Sequence, residues 1–444
     1  MKRLTVAAIA VALFSVALTA GAEDTVWTHQ FGTAGIEVAD DVAADSSAVY
    51  VSGITTGALP GQTNSGASDA FVRKYDSAGN ELWTRQFGTD QGDRGGAVAL
   101  DATNVYAVGL TRGAFPGEAY AGGTDVFVRK FASDGTAAWT REFGTPGFEI
   151  VLDAAVDASA IYVLLSSNGV FPGKVAAGGF DLVLVKIDKD GTFLWTRQFG
   201  STGDDPLFGF FLGGVAVDDS GVYVASAITA PLPGHPGFGE DDGALWKFNF
   251  DGSQEWTRII GSGCSDEATD VDVFGGDVFV GGATSGDLTT PLSAQCTNPP
   301  SPQRDYPPRE EGFIQRYQAD GQLVWTRQFT VHGGTSLLDG GIAADSSGVY
   351  AASEAFRGDE TPDPGPNATC NRVPWYQNPD VDVHALSLAG ATLWSREFGT
   401  RQSDVPAGVA TTSSGVYVGG DTTCALAGET SFGSLDAFLV KLSK

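Results

Sequence analysis

The chain has 444 residues, 54 acidic against 26 Lys and Arg, a net charge of −28 and a mean hydropathy of −0.02. A surface this acidic excludes nucleic acid and anionic lipid as partners and suits divalent cations, basic partners or a salty medium. Sixty glycines and twenty prolines break short alternating runs, and no stretch has helical periodicity, which excludes a helical fold.

Residues 1–22 read as an export signal. Lys2 and Arg3 precede an apolar run, Leu4 to Leu18, too short to span a bilayer, and Ala20-Gly21-Ala22 is a small-x-small cleavage site before Glu23. No later segment is long and apolar enough to span. The expectation is an extracytoplasmic protein (secreted, periplasmic or on the cell surface of a bacterium or archaeon) with no membrane insertion after cleavage. Residues 23–444 then form one domain, expected as a monomer.

That domain repeats. Trp27, Trp83, Trp139, Trp195, Trp256, Trp325 and Trp394 each open a W-[ST]-x-x-[FI] run and are spaced by 56, 56, 56, 61, 69 and 69 residues. Fixed periods of this size mark solenoids or propellers. The units run about 34–89, 90–145, 146–201, 202–262, 263–331, 332–400, and 401–444 plus 23–33. Each reads as four strands: a small-residue run such as 96–100, "VYAVG" at 105–109, "DVFVRKF" at 125–131 and "AAWTREFG" at 137–144. Asp-Gly or similar pairs supply the turn before the fourth. Seven such units predict an all-β, seven-bladed propeller of four-stranded antiparallel blades. The chain opens on a lone fourth strand, 25–32, and ends on a lone third strand, 436–442. Pairing them would close the ring and hide two sheet edges.

The pattern "WTRQFGT … SGVYVxGxT … GGxDAFVRKYD" resembles the SBBP repeat, a bacterial and archaeal propeller repeat family, over nearly all of residues 23–444. The resemblance implies a propeller on an exported or surface protein and no set reaction. "Asp-x-x-Gly-x-x-x-Trp" also resembles the tryptophan-docking repeat of quinoprotein propellers. That family has eight blades and an adjacent cysteine pair, and this chain has neither.

An acid stands fourteen residues before each Trp: Asp69, Asp125, Asp181, Asp242, Glu311, Asp380 and, through the ring closure, Asp436. All fall where a long loop enters the third strand. Glu37, Asp40, Asp93, Glu149, Asp204, Asp205, Asp266, Glu267 and Asp404 cluster where one blade hands over to the next. One face is therefore expected to carry a ring of carboxylates. They either hold a metal, with calcium the one cofactor suggested, or cap loop amides and pair with the repeated Arg. A Lys or Arg five residues after the acid (Lys74, Lys130, Lys186, Lys247, Arg316, Lys441) is expected to stack over the Trp. Asp188-Lys189-Asp190-Gly191 lacks the further ligands of a calcium loop and reads as a turn.

The four histidines are scattered, and no HExxH, GxSxG or phosphate loop appears. Irregular loops at 201–214, 230–242, 285–311 and 356–380 share the acidic face. They hold Phe208, Phe210, Phe211, Tyr306, Trp375 and Tyr376, the expected ligand-contacting residues. Four cysteines in an exported chain predict two disulfides. Cys264–Cys296 with Cys370–Cys424 is the leading pairing, and Cys296–Cys370 the main rival. The reading is a non-enzymatic scaffold for an extracellular protein or polysaccharide. The alternatives are a polysaccharide hydrolase or lyase with carboxylates across the channel, and a surface-layer or matrix component.

Overall fold

In a computed structural model the described residues are 25–206, 213–239, 241–289, 311–329, 335–336, 340–356, 379–400 and 402–444. They form seven antiparallel sheets in a ring, a seven-bladed propeller with no helix. Blade 1 is typical: from the axis outward, Glu37–Ala44, Ala48–Thr55, Asp69–Asp76 and Glu81–Phe87. The ring closes as expected. Thr25–Phe31 is the outer strand of blade 7 and pairs with Asp436–Leu442, Trp27 opposite Lys441. The innermost strands are longer than the small-residue runs alone predict: blade 2 begins at Asp93, not Gly96.

The core lies between blades rather than within them. One apolar cluster joins Tyr106, Val126 and Val128 of blade 2 to Val151, Ile161 and Val163 of blade 3, all at most 4% exposed. This follows from strands whose two faces both meet a neighbouring sheet, so that the second and third strands read as near-continuous apolar runs.

The repeated "WTRQFGT" is a list of docking groups. Trp83 Nε1 and Lys74 Nζ of blade 1 both donate to the Ser133 carbonyl of blade 2, at 3.1 and 2.9 Å. Arg85 Nε donates to Gly135 O in the same turn at 2.7 Å. Gly135 has φ +82°, the left-handed conformation this turn requires. The Trp and Lys donors likewise share Lys189 O, Phe250 O and Ala319 O at the next three junctions, and at the fourth Arg316 Nη1 takes the place of the Lys amine beside Trp325 on Leu388 O. The expected stacking of Lys on Trp is corrected. Lys74 Nζ sits 5.0 Å over the Tyr50 ring, and it is Arg85 that covers Trp83. Lys74 is the cross-strand partner of Trp83, but its amine is drawn past the indole to the turn carbonyl both share. Asp188–Gly191 is such a turn, with Asp188 Oδ1 accepting from the amides of Asp190 and Thr192.

Candidate functional site at the propeller axis

Strand starts, strand ends and the long loops alternate so that every acid at Trp−14 lies on the same end of its blade. The seven do not form an open ring. Asp69, Asp125, Asp181, Asp242, Asp380 and Asp436 are buried at the blade junctions, at most 4% exposed. Loop amides donate to Asp69, Asp125, Asp181, Asp242 and Asp436, and at Asp69, Asp181 and Asp436 a glutamine joins them. Asp69 Oδ2 accepts from Ser65 N and from Gln86 Nε2, three residues after Trp83. Asp181 has the same set in Ala177, Gly178 and Gln198, and Asp436 in Phe432, Gly433 and Gln30. Glu311 takes Gln328 Nε2 at 3.1 Å. Among the described residues no three His, Cys, Asp or Glu side chains converge as a metal-ligand set.

The concave site lies on the axis. A cavity of about 210 Å³ is lined by Asp40, Asp41, Arg94, Asp153, Asp270 and Asp421, with small residues between them. Its carboxylates come from the innermost strands, which are bulged. Register slips between Ala39 and Asp41, Val151 and Asp153, and Ala268 and Asp270. The extra residue turns each aspartate across to the next blade. Asp41 Oδ1 accepts from Val42 N and Oδ2 from Val98 N of blade 2, at 2.6 and 2.7 Å. Asp153 bridges blade 3 to Val215 and Asp270 bridges blade 5 to Ile342, both at 2.7 Å. One turn deeper, Asp272 bridges to Ala344.

The blades between supply room. At the matching position they carry Ala97, Gly214, Gly341 and Gly408. A Cβ on Gly214 would stand 2.1 Å from Asp270 Oδ1, so nothing larger fits.

Burial, and after it the charges of neighbouring carboxylates, raises the affinity of the three channel aspartates for protons. Burial, and then the charge of Asp40, push Asp41 up to about 6 despite its two amide donors. Burial with the charges of Asp272 and Asp41 pushes Asp270 to about 7. Asp153 is raised by burial and by Asp270 and Asp41. Asp40 is raised by burial and held back by Arg94, whose guanidinium grips both its oxygens at the channel mouth. The arrangement favours a positive charge on the axis and keeps carboxyls near neutrality, the range of acid–base work.

Of the axial groups, sequence reasoning had noted Asp40 alone, and not as part of the channel. The expected ligand contacts Phe208, Phe210, Phe211, Tyr306, Trp375 and Tyr376 lie outside the described residues, as do Cys296 and Cys370. Cys264 and Cys424 are buried and neither is a free thiol.

No protein-family model matches the chain. Over 212 residues it is 30% identical to the regulatory protein FlaEY of Caulobacter vibrioides, a match that covers 39% of this chain and 22% of that protein's length. Among solved structures it is similar to the phage phi92 endosialidase (TM-score 0.44, 10% identity, 94% of this chain and 69% of that one). It is also similar to the Trypanosoma rangeli sialidase (0.41, 9%, 93% and 58%) and to a Bacteroides caccae protein of unknown function (0.37, 10%, 74% and 89%). At such scores these likenesses add nothing to the reading of the site.

Proposed function

We propose that the chain is an exported, non-enzymatic binding propeller, and that its partner places an ammonium or guanidinium group at the axial pocket. The observation that carries this is the lining of that pocket: Asp41, Asp153 and Asp270 converge from three blades, and Asp40 and Asp421 join them against the one Arg94. A cation there meets pre-set charge in a partly desolvated channel, where it is worth more than on an open surface. An extracellular basic protein segment or an amino-bearing polysaccharide fits that chemistry.

The test is calorimetric titration with a lysine-rich peptide and with an amino-sugar oligomer. Asp153→Asn should weaken binding about tenfold, or about 1.4 kcal/mol. Asp190→Asn, on a turn at the outer end of a blade, should leave it unchanged. Equal weakening by both variants would reduce the effect to the overall charge and reject the axial site.

A hydrolytic reading has one observation in its favour: Asp41 and Asp270 held near 6 and 7 in a concave pocket. Against it, each carboxylate already bridges two backbone amides, so neither is free to move toward a substrate.

A further inference from the structure

The junction acids are not single. Ten residues after the Trp stands a second column: Glu37, Asp93, Glu149, Asp205, Asp266 and Asp404, each at most 1% exposed. All but Asp205, which lies in the loop ahead of Gly213–Asp218, open the innermost strand of the next blade, on the side of the Trp−14 acid of the blade before. Only the blade 5–6 junction lacks it, with Thr335 in its place.

At four junctions the two carboxylates meet over the glycine of "FGT": Gly32, Gly88, Gly144 and Gly399. A Cβ built on Gly88 would stand 2.5 Å from Asp69 Oδ1 and 2.7 Å from Asp93 Oδ2. On Gly144 it would stand 2.4 Å from Asp125 and 2.8 Å from Glu149, and on Gly32 2.4 Å from Asp436 and 2.8 Å from Glu37.

Donors crowd one oxygen of Asp69, Asp93, Asp125 and Asp242, and both oxygens of Glu37, Glu149, Asp205 and Asp266. Asp93 Oδ2 accepts from Thr89 N and Oγ1 at 2.6 and 2.9 Å, and Asp266 Oδ2 from Ser262 N and Oγ. Donors of this kind favour the ionised form, but burial is the larger effect and pushes both Asp93 and Asp266 up. Yet Asp69 Oδ1, Asp93 Oδ1, Asp125 Oδ1 and Asp242 Oδ1 are buried with no hydrogen-bond partner. The bare oxygens of Asp69, Asp125 and Asp242 are the ones turned to the shared glycine. Among the described residues no Lys, Arg or His is ion-paired to Asp69, Asp93, Asp125, Glu149, Asp181, Asp205, Asp242, Asp266, Glu37 or Asp436. At Asp69, Asp93, Asp125 and Asp242 one carboxylate oxygen takes the donors and the other is bare, and two buried carboxylates side by side call for a counter-charge that no ion pair among the described residues supplies.

We propose that these junction pairs are cation sites that clamp neighbouring blades together, taking calcium, since every group offered is a hard oxygen. The pair supplies two carboxylates, and backbone carbonyls, the adjacent Thr and Ser hydroxyls and water complete the six to eight oxygens calcium takes.

The experiment is calcium titration of the chelator-treated chain by calorimetry and by thermal melting, in 0.15 M salt, with magnesium as the comparison. More than one calcium bound per chain is expected, with a rise in Tm that magnesium does not match. Asp93→Asn should remove one equivalent and leave the rest. Thr335→Asp, which builds the missing pair, should add one and covers the possibility that Asp93→Asn does not fold. No heat with an unchanged Tm would overturn the proposal. So would equal responses to calcium and magnesium, or a stoichiometry that neither variant alters.

Discussion

Arg85 of blade 1 reaches over its own Trp83 and donates from Nε to the Gly135 carbonyl of blade 2 at 2.7 Å. The turn fixes Gly135 with φ +82°, and its Asp134 and Gly135 carbonyls both accept from this one guanidinium. Blade-to-blade adhesion is thus partly polar and directional, on the rim of an otherwise apolar junction. Arg85→Ala should destabilise the fold by about 1–3 kcal/mol, the range for hydrogen bonds from a charged donor. Arg85→Lys should recover little, because an ammonium cannot reproduce the planar fork. Denaturant midpoints of the two variants would decide it. Full recovery by Lys would show that charge alone matters.

The closing junction departs from this rule. His29 stands where five other junctions have an Arg reaching a turn glycine. Its ring stacks on Tyr75 at 5.2 Å and 3°, and its buried Nε2 has no hydrogen-bond partner. A cavity of about 270 Å³ opens beside it, lined also by Arg73, Glu81 and Phe432. The junction between blade 7 and blade 1 therefore has unfilled space beside His29. His29→Arg should restore the contact to the Gly79 turn and raise stability by about 0.5–1.5 kcal/mol. A lower unfolding midpoint would mean that the His29–Tyr75 stack outweighs the restored bond.

Much of this was legible because it repeats. The Trp spacing, the turn glycines and the lone strands at the two ends settle blade number and closure, since each recurs in a column. The junction pairs were half legible. The Trp−14 column is strict, whereas the Trp+10 acids sat among other handover acids, and burial is not a sequence property. The axial aspartates were hidden for a physical reason. Down the seven units their position reads Asp41, Ala97, Asp153, Gly214, Asp270, Gly341, Gly408. Each such carboxylate crowds the matching position of a neighbouring blade, Asp270 against both Gly214 and Gly341 and Asp41 against Gly408, so acids and small residues alternate round the ring and no column is uniform. The loop aromatics stay an expectation, because they fall outside the described residues.

Stability should respond to pH through the axis. Asp41, Asp270 and Asp272 have folded values of about 6, 7 and 6 against an ordinary 3.8. An acid with a raised folded value binds its proton more tightly when folded. Its stabilisation is complete below pH 3.8, is lost as pH rises to between 6 and 7, and is flat above. The groups facing Asp270 are Asp41, Asp153 and Asp272, with Arg94 gripping Asp40 at the mouth. Asp270→Asn carries a constant cost, because its amide meets an amide donor. Relative to the parent it should nonetheless gain on the order of 1–3 kcal/mol between pH 4 and pH 7.5, after allowance for solvent in the channel. Chemical denaturation across that range measures the difference. A gap that does not narrow would show that neither burial nor the neighbouring charges raise Asp270 in the folded chain.

Gly88 separates crowding from backbone strain. Its φ is not in the left-handed region, so alanine meets no backbone penalty there, only Asp69 and Asp93 at 2.5 and 2.7 Å from the new methyl. Gly61 is the reverse, with φ +73° and nothing within 4 Å. Gly61→Ala should cost about 1–2 kcal/mol, the price of a left-handed alanine. Gly88→Ala should cost about 3 kcal/mol or more, because both carboxylates are already fixed by their donors and cannot retreat together. Replacing Asp93 by alanine in the Gly88→Ala background should then cost less than the same change in the parent, since it frees one side of the methyl. A double-mutant cycle reads that coupling directly. Strict additivity would mean that the junction relaxes as a whole and that the glycine is not there to seat the acid pair.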